Sequence, residues 1–492
     1  MDENQESLDF DVIIVGAGVS GIDAAYHLQQ DLPERSYVVL DSLESFGGTW
    51  LTHRYPGVRS DTDLYTFGYS FKPWTGDPIA SAERIRDYLS EVIVENGIDA
   101  HMRYRHRVLD ASWSSAKNRW TLRVRDLETE TDQTFTGEFL WMCQGYYKHA
   151  EGYTPEWPGF ESFEGRVVHP QTWPDDLELD DREVVVIGSG ATAATLVPAI
   201  AQRCRHVTML QRSPTYFFSG PNRDELADQL RALEIDEEWI HEIVRRNRLA
   251  QLKMLTDVAL SEPEFAATEL INLVRAELPG GYDVETHFTP RYRPWQQRIA
   301  FVPDGDLFKG ISSGRASVVT DEIERFTPGG IKLKSGQELG CDVIITATGF
   351  DLSVLGDINF TIDGDDLVFS EQVTYRGMMF TGVPNLCWIF GYFRAAWTLR
   401  ADLVCAFVCR ILKHMRDEDL HRVVPTLRDA DLAEARLDWI SEEQFNPGYL
   451  QRSMHLMPKR LAKPEWGHNQ DYWYERDVLP GVPATDDCLV YD

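Results

Sequence analysis

The sequence predicts an α/β protein with two Rossmann-like dinucleotide-binding domains and a helical insertion. Two matching stretches carry this prediction. "VIIVGAGVSGIDAAYHL" and, much later, "VVVIGSGATAAT" each run from an apolar, β-branched strand through a glycine turn into a helical pattern. A third observation places the insertion. From about Asn222 to Leu278 the pattern is helical, with Leu270, Val274 and Leu278 repeating on one face and Ser261 expected as a helix cap.

Composition narrows the class. A chain of 492 residues exceeds a single core, so two or three domains are expected. Lys plus Arg at 48 against Asp plus Glu at 79 gives a formal charge of −31, which repels phosphate backbones and argues against nucleic acid as a partner. The seven cysteines are scattered, with no CxxC pair, so neither a disulfide framework nor a metal site is expected and a reduced, cytoplasmic setting fits. The acidic start "MDENQESLDF" is unlike a secretory or transit peptide. The strongest apolar run, "LVCAFVCRIL" from Leu403, is too short to span a bilayer and reads as a buried helix.

In the first unit, Gly16 permits the tight turn, Gly18 admits a pyrophosphate close to the backbone, and Gly21 lets helix pack on strand. The helix start then offers unpaired N–H groups to the anion. The next strand, "YVVL", ends in Asp41, where a ribose-binding acid belongs, so this unit should take FAD. In the second unit Gly188, Gly190 and Ala193 occupy the three places. Its following strand, "VTML", ends in Gln211 and Arg212. An arginine there can grip a 2′-phosphate that an acid would repel, so this unit should take NADPH.

Two further apolar strands, "EFLWMCQGYY" ending at Gly145 and "CDVIITATGFD" ending at Gly349, read as crossings between the two units. The expected division is residues 1–150 for the first part of the FAD domain and 151–220 for the linker and first part of the NADPH domain. Residues 221–295 form the helical insertion, 296–347 the second part of the NADPH domain, and 348–492 the completion of the FAD domain. The cluster Arg245, Arg246, Arg248 reads as a solvated helix face.

Between the units lies "FEGRVVHPQTWPDD". Its Phe163, Gly165, His169, Trp173 and Pro174 match FxGxxxHxxxWP, the pattern of Baeyer–Villiger flavoprotein monooxygenases. A longer signature upstream, "GGTWLTHRYPGVRSD", matches that family's [A/G]GxWxxxx[F/Y]PGxxxD throughout. The chain resembles this class B family along essentially its whole length. The likeness is nearest to the ethionamide-activating branch, through "RYPGVRSDTDLYT", "TMLQRSPTY" and "VPDGDLF".

The resemblance implies an enzyme using NADPH and O2, with a flavin peroxide attacking a ketone to give an ester or lactone, and sulfides oxidised to sulfoxides as well. It implies Arg298 as catalytic arginine and Asp61 as the acid that pairs with it, Arg298 acting electrostatically because a guanidinium cannot lose its proton at working pH. His169 is implied to couple domain position to catalysis. For FAD the resemblance carries Ser20, Asp41, Gly48, Thr49, Trp50, Asp61 and Val108, with Tyr65 on the isoalloxazine side. For NADPH it carries Arg59, Ser60, Asp61, Gly188, Ser189, Gly190, Ala191, Thr192, Ala193, Ala194, Gln211 and Arg212. A helix starting near Thr398 is expected to face the flavin pyrimidine. Several family members have a lysine just before the catalytic arginine. Here it is Gln297, so NADPH preference rests on Arg212, helped by Ser213 and Thr215.

Three other readings remain open on sequence: a flavin monooxygenase acting mainly on sulfur or nitrogen, a flavin disulfide reductase, and a non-catalytic NADPH-binding protein. The reductase needs a redox dithiol, which no CxxC or CxxxxC supplies. Intact Asp61 and Arg298 weigh against the non-catalytic reading.

Overall fold

The computed structural model describes residues 7–492, so most of the acidic N-terminal stretch, Met1–Glu6, lies outside the described residues. Two sheets organise the chain. In the larger one, strand Ser7–Val15 runs parallel to both Tyr37–Leu40 and Thr131–Met142. Leu386–Trp388, from late in the chain, adds parallel to Thr131–Met142, and an antiparallel extension carries His106–Ser114 and Arg119–Asp126. Tyr37–Leu40 is buried on both faces, as expected of a parallel strand covered by helices on either side.

The second sheet is fully parallel, in the order Ala316–Thr320, His206–Gln211, Glu183–Ile187, Val343–Thr346, Arg166–Val168. Both glycine turns thus leave parallel strands, Ser7–Val15 and Glu183–Ile187, and feed helices Val19–Asp31 and Ala191–Ile200. Between the second sheet's strands lie helices Glu225–Ala232, Glu237–Ser261 and Pro263–Glu277. Val274 and Leu278 are buried there and Leu270 half-buried, the face their spacing predicts.

Two sequence expectations are overturned in this region. Ser261 caps nothing. It ends the helix Glu237–Ser261, and its hydroxyl donates back to the Asp257 carbonyl, so Pro263 starts the next helix without a side-chain cap. Arg245 is not solvated. It is buried, and its Nη1 donates to the carbonyls of Tyr65, Thr66 and Gly68 at 2.8, 3.2 and 2.8 Å. Those carbonyls close the short helix Leu64–Phe67 and have no partner within it, which is why a guanidinium is drawn inward. Arg246 faces out, while Arg248 reaches back to the buried Asp224.

The run from Leu403 does form a buried helix, Trp397–Asp417. It packs on Val19–Asp31 through an ionic cluster in which His27 Nε2 lies 3.5 Å from both Asp23 and Asp402. Burial, together with the neighbouring Asp402, pushes the Asp23 carboxyl well up. Burial also acts against Asp402, but His27 and Arg245 outweigh it and hold that carboxyl low. A raised native pKa means that Asp23 stabilises the fold below its unfolded pKa and loses that contribution as pH rises toward the folded value. Asp23→Asn should therefore raise the unfolding temperature at pH 8 by roughly 2–4 °C, the worth of about 1 kcal/mol in a large domain. The gain should shrink toward pH 4–5. Thermal unfolding across that range checks it, and a pH-independent difference would refute the assignment.

Candidate active site

A cleft of about 1170 Å³ runs between the two sheets and is lined by both glycine turns. That exceeds the roughly 300–1,000 Å³ of a pocket for one drug-sized molecule, leaving room for extended ligands. Its position follows from the local geometry. Gly16 and Gly188 take φ of +108° and +126°, which side-chain-bearing residues rarely adopt, and these turns aim both helix starts at the cleft. Neither Gly18 nor Gly190 can cap its helix with a side chain, so the first N–H groups are left for a ligand. A Cβ on Gly21 would collide with the Gly16 carbonyl, so this glycine serves helix–strand packing and stays off the cleft wall, as do Ala193 and Ala194.

Around the first turn the cleft is lined by Gly18, Ser20, Asp41, Gly48, Thr49, Trp50 and Val108. The Asp41 carboxylate accepts from the backbone of Ala17 at 2.6 Å and Leu43 at 2.8 Å, which clamps the turn. Ser20 accepts from Trp397 Nε1 at 2.7 Å, so the helix starting at Trp397, one residue before Thr398, also reaches the cleft. Around the second turn the wall holds Gly188, Ser189, Gly190, Ala191, Thr192, Gln211 and Arg212. Gln211 is buried, with Nε2 donating to the His287 carbonyl and Thr320, whereas Arg212 stands exposed.

Three further predicted contacts, besides Gly21, Ala193 and Ala194, lie elsewhere or are already engaged. Tyr65 is buried away from the cleft, its hydroxyl donating to the Gly76 carbonyl, because the helix Leu64–Phe67 turns it toward the insertion. Ser60 is also off the wall, its hydroxyl accepting from the Ala80 backbone. Arg59 lines the cleft, but its guanidinium is held by both oxygens of Asp306, at 2.6 and 3.2 Å. The upstream signature is positioned by docking on the second unit. Tyr55 is buried against that unit's core, and Gly57, at φ +77°, backs directly onto Ala199 and Thr195 of the helix Ala191–Ile200.

That docking delivers Asp61 to Arg298 across the cleft. Arg298 Nε lies 2.6 Å from Asp61 Oδ2, and Nη2 lies 2.7 Å from Oδ1, a two-point contact, with Thr62 accepting at 3.1 Å. Arg298 sits deep in the cleft, yet 42% of its side-chain surface opens onto it. Burial works against its charge, but Asp61 more than offsets that and holds the guanidinium above its usual range. Two residues absent from the sequence reading complete this corner, Tyr146 and Tyr449, both lining the cleft. Burial pushes both phenols up, so they face Arg298 as neutral groups. Tyr146 directly follows the crossing strand's Gly145, which is the one signal that marked it. Tyr449 arrives from a distant loop and had none.

The linker signature is built into the second sheet. Arg166–Val168 forms its edge strand, Trp173 packs on its core, and a Cβ on Gly165 would collide with the Asp342 carbonyl. Phe163 is buried, Pro174 half-buried, and none of the five signature residues lines the cleft. His169 ties the linker to the crossing that ends at Gly349. Its Nδ1 accepts from the Gln171 N–H at 3.1 Å, which leaves the proton on Nε2 to donate to the Gly349 carbonyl at 3.1 Å. Its ring fills the space where Gly152 lacks a side chain, and burial lowers its pKa.

The cleft also presents buried polar atoms that no protein group satisfies: His53 Nε2, His149 Nδ1 and Gln144 Oε1. His53 is pushed down to about 4 by burial, so it is a neutral donor or acceptor. Unmet buried polar groups of this kind suit a large polar ligand. All seven cysteines are free, and Cys143, the one that lines the cleft, has its thiol pushed well up by burial. Among the described residues, no pair of cysteines faces this site. Among the described residues, no helix is long and apolar enough to cross a membrane.

Paired glycine turns, each leaving a parallel strand of its own sheet, define a two-dinucleotide flavoprotein, and the family described as pyridine nucleotide-disulphide oxidoreductase matches residues 10–271. The FAD-containing monooxygenase EthA of Mycobacterium tuberculosis is 46% identical over 464 residues, covering 94% of this chain and 93% of that protein. The putative FAD-containing monooxygenase MymA of the same organism is 42% identical, covering 98% and 97%. The structure of an oxidized steroid monooxygenase bound to NADP shares the fold, with a TM-score of 0.77 at 20% identity over 98% of this chain and 99% of that one. The chain belongs to the FAD-containing monooxygenases, within that wider oxidoreductase family.

Proposed function

We propose that the chain is an NADPH- and O2-dependent monooxygenase that inserts oxygen beside a ketone carbonyl, giving an ester or lactone, and that also oxidises sulfides. The observation carrying this reading is the two-point Arg298–Asp61 pair, open to a cleft between two dinucleotide turns. The first turn, with Asp41, Ser20 and Trp50, suits FAD. The second, with Arg212, suits NADPH. The chain divides accordingly, with residues 1–150 and 348–492 serving FAD, 151–220 and 296–347 serving NADPH, and 221–295 the insertion. FAD, when bound, supplies the oxygen chemistry, using electrons from NADPH.

The protein's own contribution is electrostatic and steric. Arg298 holds a fixed positive charge where negative charge gathers on the ketone oxygen, and Asp61 keeps its plane aimed. Tyr146, Tyr449 and Trp397 wall the site with aromatic surface that excludes water. The test is one panel of ketones and sulfides, followed by NADPH consumption and product analysis. Ester or lactone formation supports the reading. Sulfoxide alone would make it a heteroatom oxygenase, and the lack of any flavin spectrum after reconstitution with FAD would refute it.

His169 is the group through which the two units sense each other in this reading. Replacing it by alanine removes the bond to Gly349 and opens a void beside Gly152. His169→Ala should slow turnover and NADPH-driven flavin reduction while FAD stays bound. Rapid-mixing absorbance measurements resolve the two, and wild-type rates would reduce the segment to a connector.

A further inference from the structure

The cleft wall carries a second exposed-side arginine that the cofactor assignment leaves unused. Arg452 lies on the short helix Gly448–Ser453, far in sequence from Arg212, yet both line the same cleft. Its guanidinium carbon sits 3.4 Å from the centre of the Tyr153 ring, a stacked contact that fixes its plane. One Nη2 donates to the Phe350 carbonyl at 3.0 Å. Its Nε is buried without a hydrogen-bond partner, and the nearest carboxylate, Asp351, stands 3.9 Å away, too far for a hydrogen bond. About a third of the side chain, 32%, remains open.

Two other arginines on this wall differ. Arg59 and Arg298 are each engaged at two points, by Asp306 and Asp61. Arg212 takes part in no ion pair among the described residues, and Arg452 has only its distant one. The two are near enough for Arg212 to help lower the pKa of Arg452, behind burial as the main cause. Gln297, on the same wall, brings no charge and contacts Asn446 at 3.4 Å. Two like charges on one wall, one of them stacked in place with a third of its side chain open, cost free energy that a doubly charged anion would recover.

We propose that Arg452 and Arg212 form a two-arginine clamp for the 2′-phosphate of NADPH, with Arg452 the half supplied from outside the second sheet. This rests on the reading of the second turn as the NADPH site. It also gives the clamp a route to the chemistry, since Arg452 lies one helical turn from Tyr449, which faces Arg298.

The test is calorimetric titration of the FAD-loaded protein with 2′,5′-ADP and with 5′-AMP, probes that differ by the 2′-phosphate. Arg452→Gln should weaken 2′,5′-ADP on the order of ten-fold or more, as expected for a charge-assisted contact, and leave 5′-AMP unchanged. Arg212→Gln should do the same, and the double variant should bind the two probes alike. Arg452→Lys keeps the charge but loses the planar stack, so it should retain part of the preference, which separates the clamp from a folding defect. Unchanged 2′,5′-ADP binding in Arg452→Gln, or equal loss for both probes, overturns the proposal while the NADPH reading stands. Wild-type protein that does not prefer 2′,5′-ADP would overturn that reading itself.

Discussion

Arg298→Ala is expected to eliminate ketone oxygenation while FAD remains bound. The guanidinium is a fixed positive charge on the cleft wall, tied to Asp61 at two points and flanked by neutral phenols. One such electrostatic donor is commonly worth about 2.7–4 kcal/mol, or 10²–10³ in turnover. Arg298→Lys should recover little, because a single ammonium cannot reproduce the forked contact to both carboxylate oxygens. Removing the cation also leaves Asp61 as an uncompensated negative charge beside the reacting oxygen, which deepens the loss. Sulfoxidation should fall less, since it gathers less negative charge. Ester or lactone yield and sulfoxide yield, measured on the same preparations with the flavin spectrum as control, decide the matter. Normal ester yield would place the catalytic arginine elsewhere.

The second large effect is structural and lies in the insertion. Arg245→Leu should destabilise the protein by about 3–5 kcal/mol, the usual cost of removing one member of a buried ionic network. Three backbone carbonyls, at Tyr65, Thr66 and Gly68, lose their donor, and Asp402 loses the cation 3.9 Å from its Oδ2. The clamped helix begins three residues after Asp61, so loosening it should also cost turnover by letting the Asp61–Arg298 pair drift. Thermal unfolding gives the stability loss. Amide exchange around Phe67 and Gly68 localises it, and unchanged protection there would refute the clamp.

What the sequence determined is local and repetitive. A β-branched run, a glycine turn and a helical pattern are read within about thirty residues, because φ-permissive glycines and helix starts act on their own neighbours. That was enough for both dinucleotide turns, for Asp41 and Arg212 at the ends of the following strands, and for the buried helix of "LVCAFVCRIL". The family motifs then named Asp61 and Arg298, though nothing in their spacing brings residues 237 positions apart to 2.7 Å.

The tertiary structure decided which side chains face inward. Three basic residues in one helical stretch look alike in sequence, but about 100° separates successive positions on a helix, and only Arg245 meets the open carbonyl end of another helix. Ser261 lost its cap role because the preceding helix ran on through it, and Tyr65 was turned from the cleft by the short helix that carries it. Tyr146, Tyr449 and Arg452 reach the cleft only when distant segments pack together. Those contacts depend on burial and charge balance summed over both sheets, which no window of the sequence contains.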